Sequence, residues 1–186
     1  MLHIILSSFA LVALSEMGDK TQLLAFSLAA KFRKPWPIMA GIFTATLLNH
    51  GLASSVGSWI AAYVSPQTMN GILAAAFIGF GLWTLKPDTL DEQKPQRFGP
   101  FLTTVVLFFL AEMGDKTQFA TIALAAKYGS VAWVTAGTTL GMMVTDGVAV
   151  FLGDRISAKV QMKWVRWAAA SLFFAFGIAS AIQALR

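Results

Sequence analysis

The chain has no cysteine among its 186 residues. That removes disulfides and thiolate metal sites, so a bound metal would have to use oxygen, nitrogen or thioether ligands. Charge is also scarce. Asp, Glu, Lys and Arg make up 12% of the sequence, against about a quarter of an ordinary soluble domain. Only two histidines occur, and no hydrolase or nucleotide-binding motif appears, so the sequence does not read as an enzyme. A net charge of +5 could suggest nucleic acid. The basic residues, however, sit in short segments between apolar runs, where the bias of cytoplasmic loops toward Lys and Arg accounts for them.

What is present in quantity is apolar sequence, 56% of the chain, with a mean hydropathy of +0.66. Apolar runs approach the roughly 20 residues needed to cross a bilayer as a helix. Shifting the sequence by 96 residues aligns its halves without a gap: Leu14–Lys31 and Leu110–Lys127 agree at 12 of 18 positions. The register continues, with Gly41 on Gly137, Gly51 on Gly147 and Gly81 on Gly177. The pattern predicts an all-α membrane protein with six transmembrane helices, arranged as two three-helix repeats. The repeats occupy residues 1–86 and 100–186, joined by a cytoplasmic linker at 87–99. Spans are expected near 2–30, 37–63, 69–85, 100–126, 131–153 and 165–185. An odd number of crossings per repeat turns the second repeat over, giving inverted topology. The first 15 residues resemble a signal peptide but have no Lys or Arg before Lys20, so they read as a mature membrane helix. Outside the repeated motif, ten Lys and Arg fall in the three loops on one side (Lys31, Arg33, Lys34, Lys86, Lys94, Arg97, Arg155, Lys159, Lys163, Arg166) and two on the other (Lys127, Arg186). This bias puts the linker in the cytoplasm and both termini outside.

The most informative residues are Glu-Met-Gly-Asp-Lys-Thr-Gln, present at Glu16–Gln22 and again at Glu112–Gln118. Ionisable side chains at membrane depth cost a few kcal/mol each and mark ion or proton pathways. If the motif is helical, Glu16 and Asp19 share a face, as do Glu112 and Asp115. Four converging carboxylates suit hard divalent cations, with Gln22 and Gln118 as supporting oxygens. Charges of −4 from these acids and +2 from Lys20 and Lys116 leave −2, which one dication or two protons would neutralise. Competition between metal and protons for the same oxygens is the physical basis of antiport. Gly18 and Gly114 admit two readings, a discontinuous helix or close packing. Lys20 and Lys116 pair with carboxylates on their own helix or across the interface. A bare packing network would rarely need so many charges, since small residues and single hydrogen bonds suffice in a bundle.

Asn49 and His50 align with Thr145 and Asp146. Asn49, His50 and Asp146 are therefore candidates for supporting ligands or a proton relay, although a membrane histidine also serves as a simple hydrogen-bond partner. Gly137 and Gly141 form a small-xxx-small pair that brings helices together within a chain or between chains of a homo-oligomer.

The doubled Glu-x-Gly-Asp-Lys-Thr signature in two three-span halves resembles a family of small membrane cation antiporters. That family includes the Golgi manganese/calcium transporters of eukaryotes and the MneA-type manganese exporters of bacteria. The resemblance covers essentially the whole chain. It implies that Glu16, Asp19, Glu112 and Asp115 bind the metal, with Lys20, Thr21, Lys116 and Thr117 completing the signatures. It also implies export of Mn2+, or Ca2+, in exchange for protons or another cation such as Na+, with no prosthetic group. Without the long N-terminal extension and acidic central loop of eukaryotic members, the chain looks closer to a bacterial exporter of the cytoplasmic (inner) membrane. Its expected partners are membrane lipid, the dication and the counter-ion. The competing classes are a dication channel built on the same acids and a non-transporting scaffold.

Overall fold

A computed structural model describes residues 1–86, 98–152 and 162–185. Most of the linker expected at 87–99, together with Arg155, Lys159 and Arg186 of the charge tally, lies outside the described residues. Among the described residues the structure is all α-helical. Its helices are α1 (Leu2–Glu16), α2 (Lys20–Phe32), α3 (Pro35–Tyr63), α4 (Pro66–Thr84), α5 (Pro100–Glu112), α6 (Lys116–Tyr128), α7 (Val131–Leu152) and α8 (Met162–Ala184).

Local chemistry sets several of these boundaries. Pro35, Pro66 and Pro100 open α3, α4 and α5, where the missing N–H of proline costs nothing and its fixed φ favours the first turn. Ser65 caps α4 by accepting from the Thr68 N–H at 3.3 Å. At the other end, α2 and α6 both stop in a left-handed residue, Arg33 (φ 52°) and Gly129 (φ 61°), whose N–H groups return to Ala29 and Ala125. These positions are equivalent under the 96-residue shift. So are the starts of α2 and α6, of α3 and α7, and of α4 and α8.

The helix pairing repeats in the same way. α1 and α2 of the first half pack on α7 of the second, and their equivalents α5 and α6 pack on α3. The equivalent helices α3 and α7, and likewise α4 and α8, also pack on each other. Close approach fixes these contacts. A Cβ on Gly137 would lie 2.6 Å from the Ile5 carbonyl oxygen, and one on Gly41 would lie 2.9 Å from the equivalent carbonyl of Phe101. A Cβ on Gly141 would likewise come within 2.9 Å of the Phe9 carbonyl. The small-xxx-small pair of α7 is thus spent inside the chain, on α1. Two apolar clusters form, one around Leu11, Phe77, Leu124 and Phe173, the other around Leu28, Ile42, Leu107 and Phe108. Large apolar side chains such as Trp36, Leu52, Trp59 and Ile178 point outward.

Two expectations are corrected. The first span of each repeat is not a continuous helix over 2–30 or 100–126: each breaks at the motif, and α1 and α2 meet at 71°. By length and composition, α7 and the segment 163–184 of α8 can each cross a membrane, and the bent pair α1–α2 makes a third if it counts as one span. Six uninterrupted apolar spans are therefore not what the described helices display. α3 is long enough at 29 residues, but Thr44, Thr46, Asn49, His50, Ser54, Ser55 and Ser58 dilute its apolar character.

Candidate ion site at two broken helices

In each repeat the motif is the break itself. Glu16 ends α1, Met17 is extended, Gly18 takes φ 81°, and Asp19 begins α2 as its N-cap. The second copy follows the same course, with Gly114 at φ 77° and Asp115 capping α6. Left-handed backbone is what glycine adopts at no steric cost, so of the two roles open to these glycines, the discontinuous helix is the one observed. The expectation that Glu16 and Asp19 share one helical face is overturned, because the helix ends between them. A sharp turn brings them together instead.

The breaks are braced identically. The Gln22 side-chain oxygen accepts from the Gly18 N–H at 2.9 Å, and that of Gln118 accepts from the Gly114 N–H at 2.8 Å. Their amide nitrogens then cross to the other repeat: Gln22 donates to the Thr145 carbonyl at 3.0 Å, and Gln118 donates to Asn49 Oδ1 at 2.8 Å. Asn49 in turn donates to the Phe109 carbonyl at 3.0 Å, and Thr145 to the equivalent Ala13 carbonyl at 3.3 Å. Gln22, Gln118 and Asn49 therefore hold the broken ends in register. Exposed backbone at membrane depth is tolerated only where protein groups satisfy it in this way.

The charged groups are exchanged between repeats. Asp19 Oδ1 accepts from the Lys20 N–H at 2.9 Å while its Oδ2 meets Lys116 Nζ at 2.6 Å. Asp115 Oδ1 accepts from the Lys116 N–H at 2.6 Å while its Oδ2 meets Lys20 Nζ at 3.2 Å. The lysines thus pair across the interface rather than along their own helices. Glu16 is fully buried and accepts from Thr21 Oγ1 at 2.6 Å and, on its other oxygen, from Thr117 Oγ1 of the opposite repeat. Ligand oxygens of Glu16, Asp19 and Asp115 lie within 4.8 Å of one another. The fourth acid, Glu112, stands outside that group, with its Oε2 3.4 Å from His50 Nε2. Asp146 is fully buried on α7, and neither of its oxygens has a hydrogen-bond partner. A small cleft opens onto the first break at Met17, Gly18, Asp19 and Lys116, with Lys86 and Arg166 also lining it.

Sequence reasoning anticipated the residues but not their division into three acids and one, the convergence of both motif threonines on Glu16, or the approach of His50 to Glu112. Lys86 and Arg166 entered only the charge tally, and nothing in their local sequence ties them to the cleft.

Two broken helices that present carboxylates to each other at a repeat interface are an arrangement that secondary ion transporters use. Comparison with known proteins makes this specific. The family model described as "Divalent cation/proton antiporter GDT1" matches residues 4–92 and 100–186, and the chain belongs to that family. It is 44% identical over 176 residues to a Vibrio cholerae protein named "Putative manganese exporter", covering 94% of this chain and 88% of that one. A GDT1-like protein of Synechocystis is 29% identical over 207 residues, covering 97% of each chain. GDT1-like protein 3 of rice is 27% identical over 202 residues, covering 94% of this chain and 72% of that one. No solved structure matches. The family is one of membrane transporters of divalent cations, a class that is not enzymatic.

Proposed function

We propose that the chain exports Mn2+ from the cytoplasm in exchange for protons, through one site shared by its two repeats. The observation that carries this reading is the meeting of Glu16, Asp19 and Asp115 within 4.8 Å at the junction of two broken helices. In this arrangement the ammonium groups of Lys20 and Lys116 and the hydroxyls of Thr21 and Thr117 satisfy the acids. A dication entering the cluster takes over oxygens that these donors now hold, and Glu112 completes the four-acid set.

Charge supports the exchange. The four motif acids and two lysines sum to −2, and Asp146 is a further buried acid beyond them. Uncompensated charge of that size is heavily disfavoured away from water. The site is therefore filled by a metal ion or by protons, and each displaces the other. Export of Mn2+ rather than Ca2+ follows the name of the Vibrio cholerae relative, and protons as counter-ion follow the description of the family.

The topology that goes with this function has two inverted repeats over 1–86 and 100–186, each broken pair making one crossing. The linker is cytoplasmic and both termini lie outside, in a bacterial inner membrane. The ten-to-two distribution of Lys and Arg supports the orientation, and the equivalent helix pairing of the two halves supports the repeat.

The unequal state of two identical motifs supports alternating access. Lys116 is 4% exposed and Lys20 24%, while Met113 and Gly114 are exposed where Met17 and Gly18 are half-buried. Interchanging these environments moves the opening from one break to the other.

The test uses purified protein in liposomes, with internal pH followed as Mn2+, Ca2+, Mg2+ and Na+ are added outside in turn. Mn2+ entry should drive protons out. Mn2+ flux with no proton movement would leave a channel or a sodium-coupled exchanger.

A further inference from the structure

The hydrogen-bond inventory divides the buried ligands into two groups. Glu16, Asp19 and Asp115 are engaged by threonine hydroxyls, lysine ammonium groups and backbone N–H groups. The oxygens of Glu112 and Asp146 and both ring nitrogens of His50 have no hydrogen-bond partner, although His50 and Asp146 are fully buried and Glu112 is 2% exposed. Buried polar atoms are almost always partnered, and a group of exceptions in one place signals a missing ion or water.

The geometry of the pair identifies what is missing. His50 Nε2 and Glu112 Oε2 are 3.4 Å apart without forming a hydrogen bond. Two ligand atoms each about 2.1 Å from one metal, at an angle between 90° and 110°, are separated by roughly 3.0–3.4 Å. The pair therefore has the bite of two adjacent ligands on a first-row metal ion. His50 is also where the repeats differ, since the equivalent position in the second half is Asp146. Nitrogen thus enters the site from one side only. Asp146 is fully buried and offers two further oxygens without hydrogen-bond partners.

Ligand chemistry gives the consequence. Ca2+ and Mg2+ are held by oxygen, whereas manganese, which also favours carboxylate oxygens, accepts histidine beside them in the glutamate–histidine sets of di-metal helix bundles. Resting on the shared-site reading above, we propose that His50 ligates the transported ion beside Glu112 and sets the preference for a transition-metal dication over Ca2+. The histidine is then a selectivity residue outside the repeated motif.

The experiment uses the full chain purified in detergent, with Mn2+ as the probe. Pulsed electron paramagnetic resonance of bound Mn2+ should show nitrogen-14 modulation from a directly attached ring, and His50→Gln should abolish it. The same substitution should weaken Mn2+ binding by about tenfold or more and change Ca2+ binding by less than about twofold. Absence of nitrogen modulation in the wild-type protein overturns the assignment without reference to any variant. So does an equal loss of Mn2+ and Ca2+ in His50→Gln, or no loss of either. Asp19→Asn and Glu16→Gln separate this from the broader reading. If both bind Mn2+ as the wild type does while the nitrogen signal persists, the four-acid site fails and the His50 assignment stands. If they lose Mn2+ and the wild type shows no nitrogen signal, the four-acid site stands and the assignment falls.

Discussion

Lys20 and Lys116 occupy the same place in identical heptapeptides, so sequence alone gives them equal weight. The structure does not. Lys116 Nζ lies 2.6 Å from Asp19, and the two side chains are 4% and 2% exposed. Lys20 Nζ lies 3.2 Å from Asp115 and is 24% exposed, beside the exposed backbone of Gly114. Replacing Lys116 with Met leaves the 2% exposed Asp19 carboxylate without its ammonium partner, and breaking a buried pair in this way costs about 3–5 kcal/mol. Replacing Lys20 with Met strands Asp115, itself 4% exposed, but beside a position that was 24% exposed, so the loss falls between the roughly 1 kcal/mol of a surface pair and that of a fully buried one. Thermal unfolding of the purified protein in detergent should therefore fall further for Lys116→Met than for Lys20→Met. Asp19→Asn combined with Lys116→Met should recover most of the difference, because no charge is then left alone. Equal destabilisation by the two single substitutions would refute the argument. It would mean that the measured state does not have the unequal burial described here.

Glu16→Gln, Asp19→Asn, Glu112→Gln and Asp115→Asn should each abolish Mn2+ transport in proteoliposomes while the protein still inserts; full transport by any two would sink the shared site. Apparent Mn2+ affinity should fall as pH falls, since a protonated carboxylate is a poor ligand, and an affinity that stays flat between about pH 6 and 8 would exclude competition with protons near neutrality. A single cysteine at Gln93 should react only with reagents reaching the cytoplasm and one at Gln67 only with external reagents, with the reverse pattern overturning the orientation. Gly114→Ala should lower stability by about 1–2 kcal/mol through left-handed strain alone, because a Cβ there meets nothing within 4 Å; an unchanged melting temperature would show that the break relaxes.

Much of this architecture was legible because it is written twice. A gapless 96-residue register needs no structure to be seen, and it carried through to helix starts, caps and packing partners. The break within each first helix was harder to read. Glu-Met-Gly-Asp is flanked by apolar helical sequence on both sides, and a single glycine does not stop a helix. The overlooked signal was Asp19-Lys-Thr-Gln22, which has the spacing of a capping box with its acceptor at the N-cap and an amide three residues on. Here the amide reaches back to the Gly18 N–H.

The division of the four acids could not be read at all, because it depends on what faces each glutamate. Glu112 has the imidazole of His50 opposite it, 62 residues away in the chain. Glu16, at the equivalent position, has no histidine opposite it, because the residue equivalent to His50 is Asp146. Both motif threonines turn to Glu16, and neither oxygen of Glu112 accepts a hydrogen bond. The environments of two identical heptapeptides thus differ where the repeats exchange His50 for Asp146, a difference that nothing inside the motif announces.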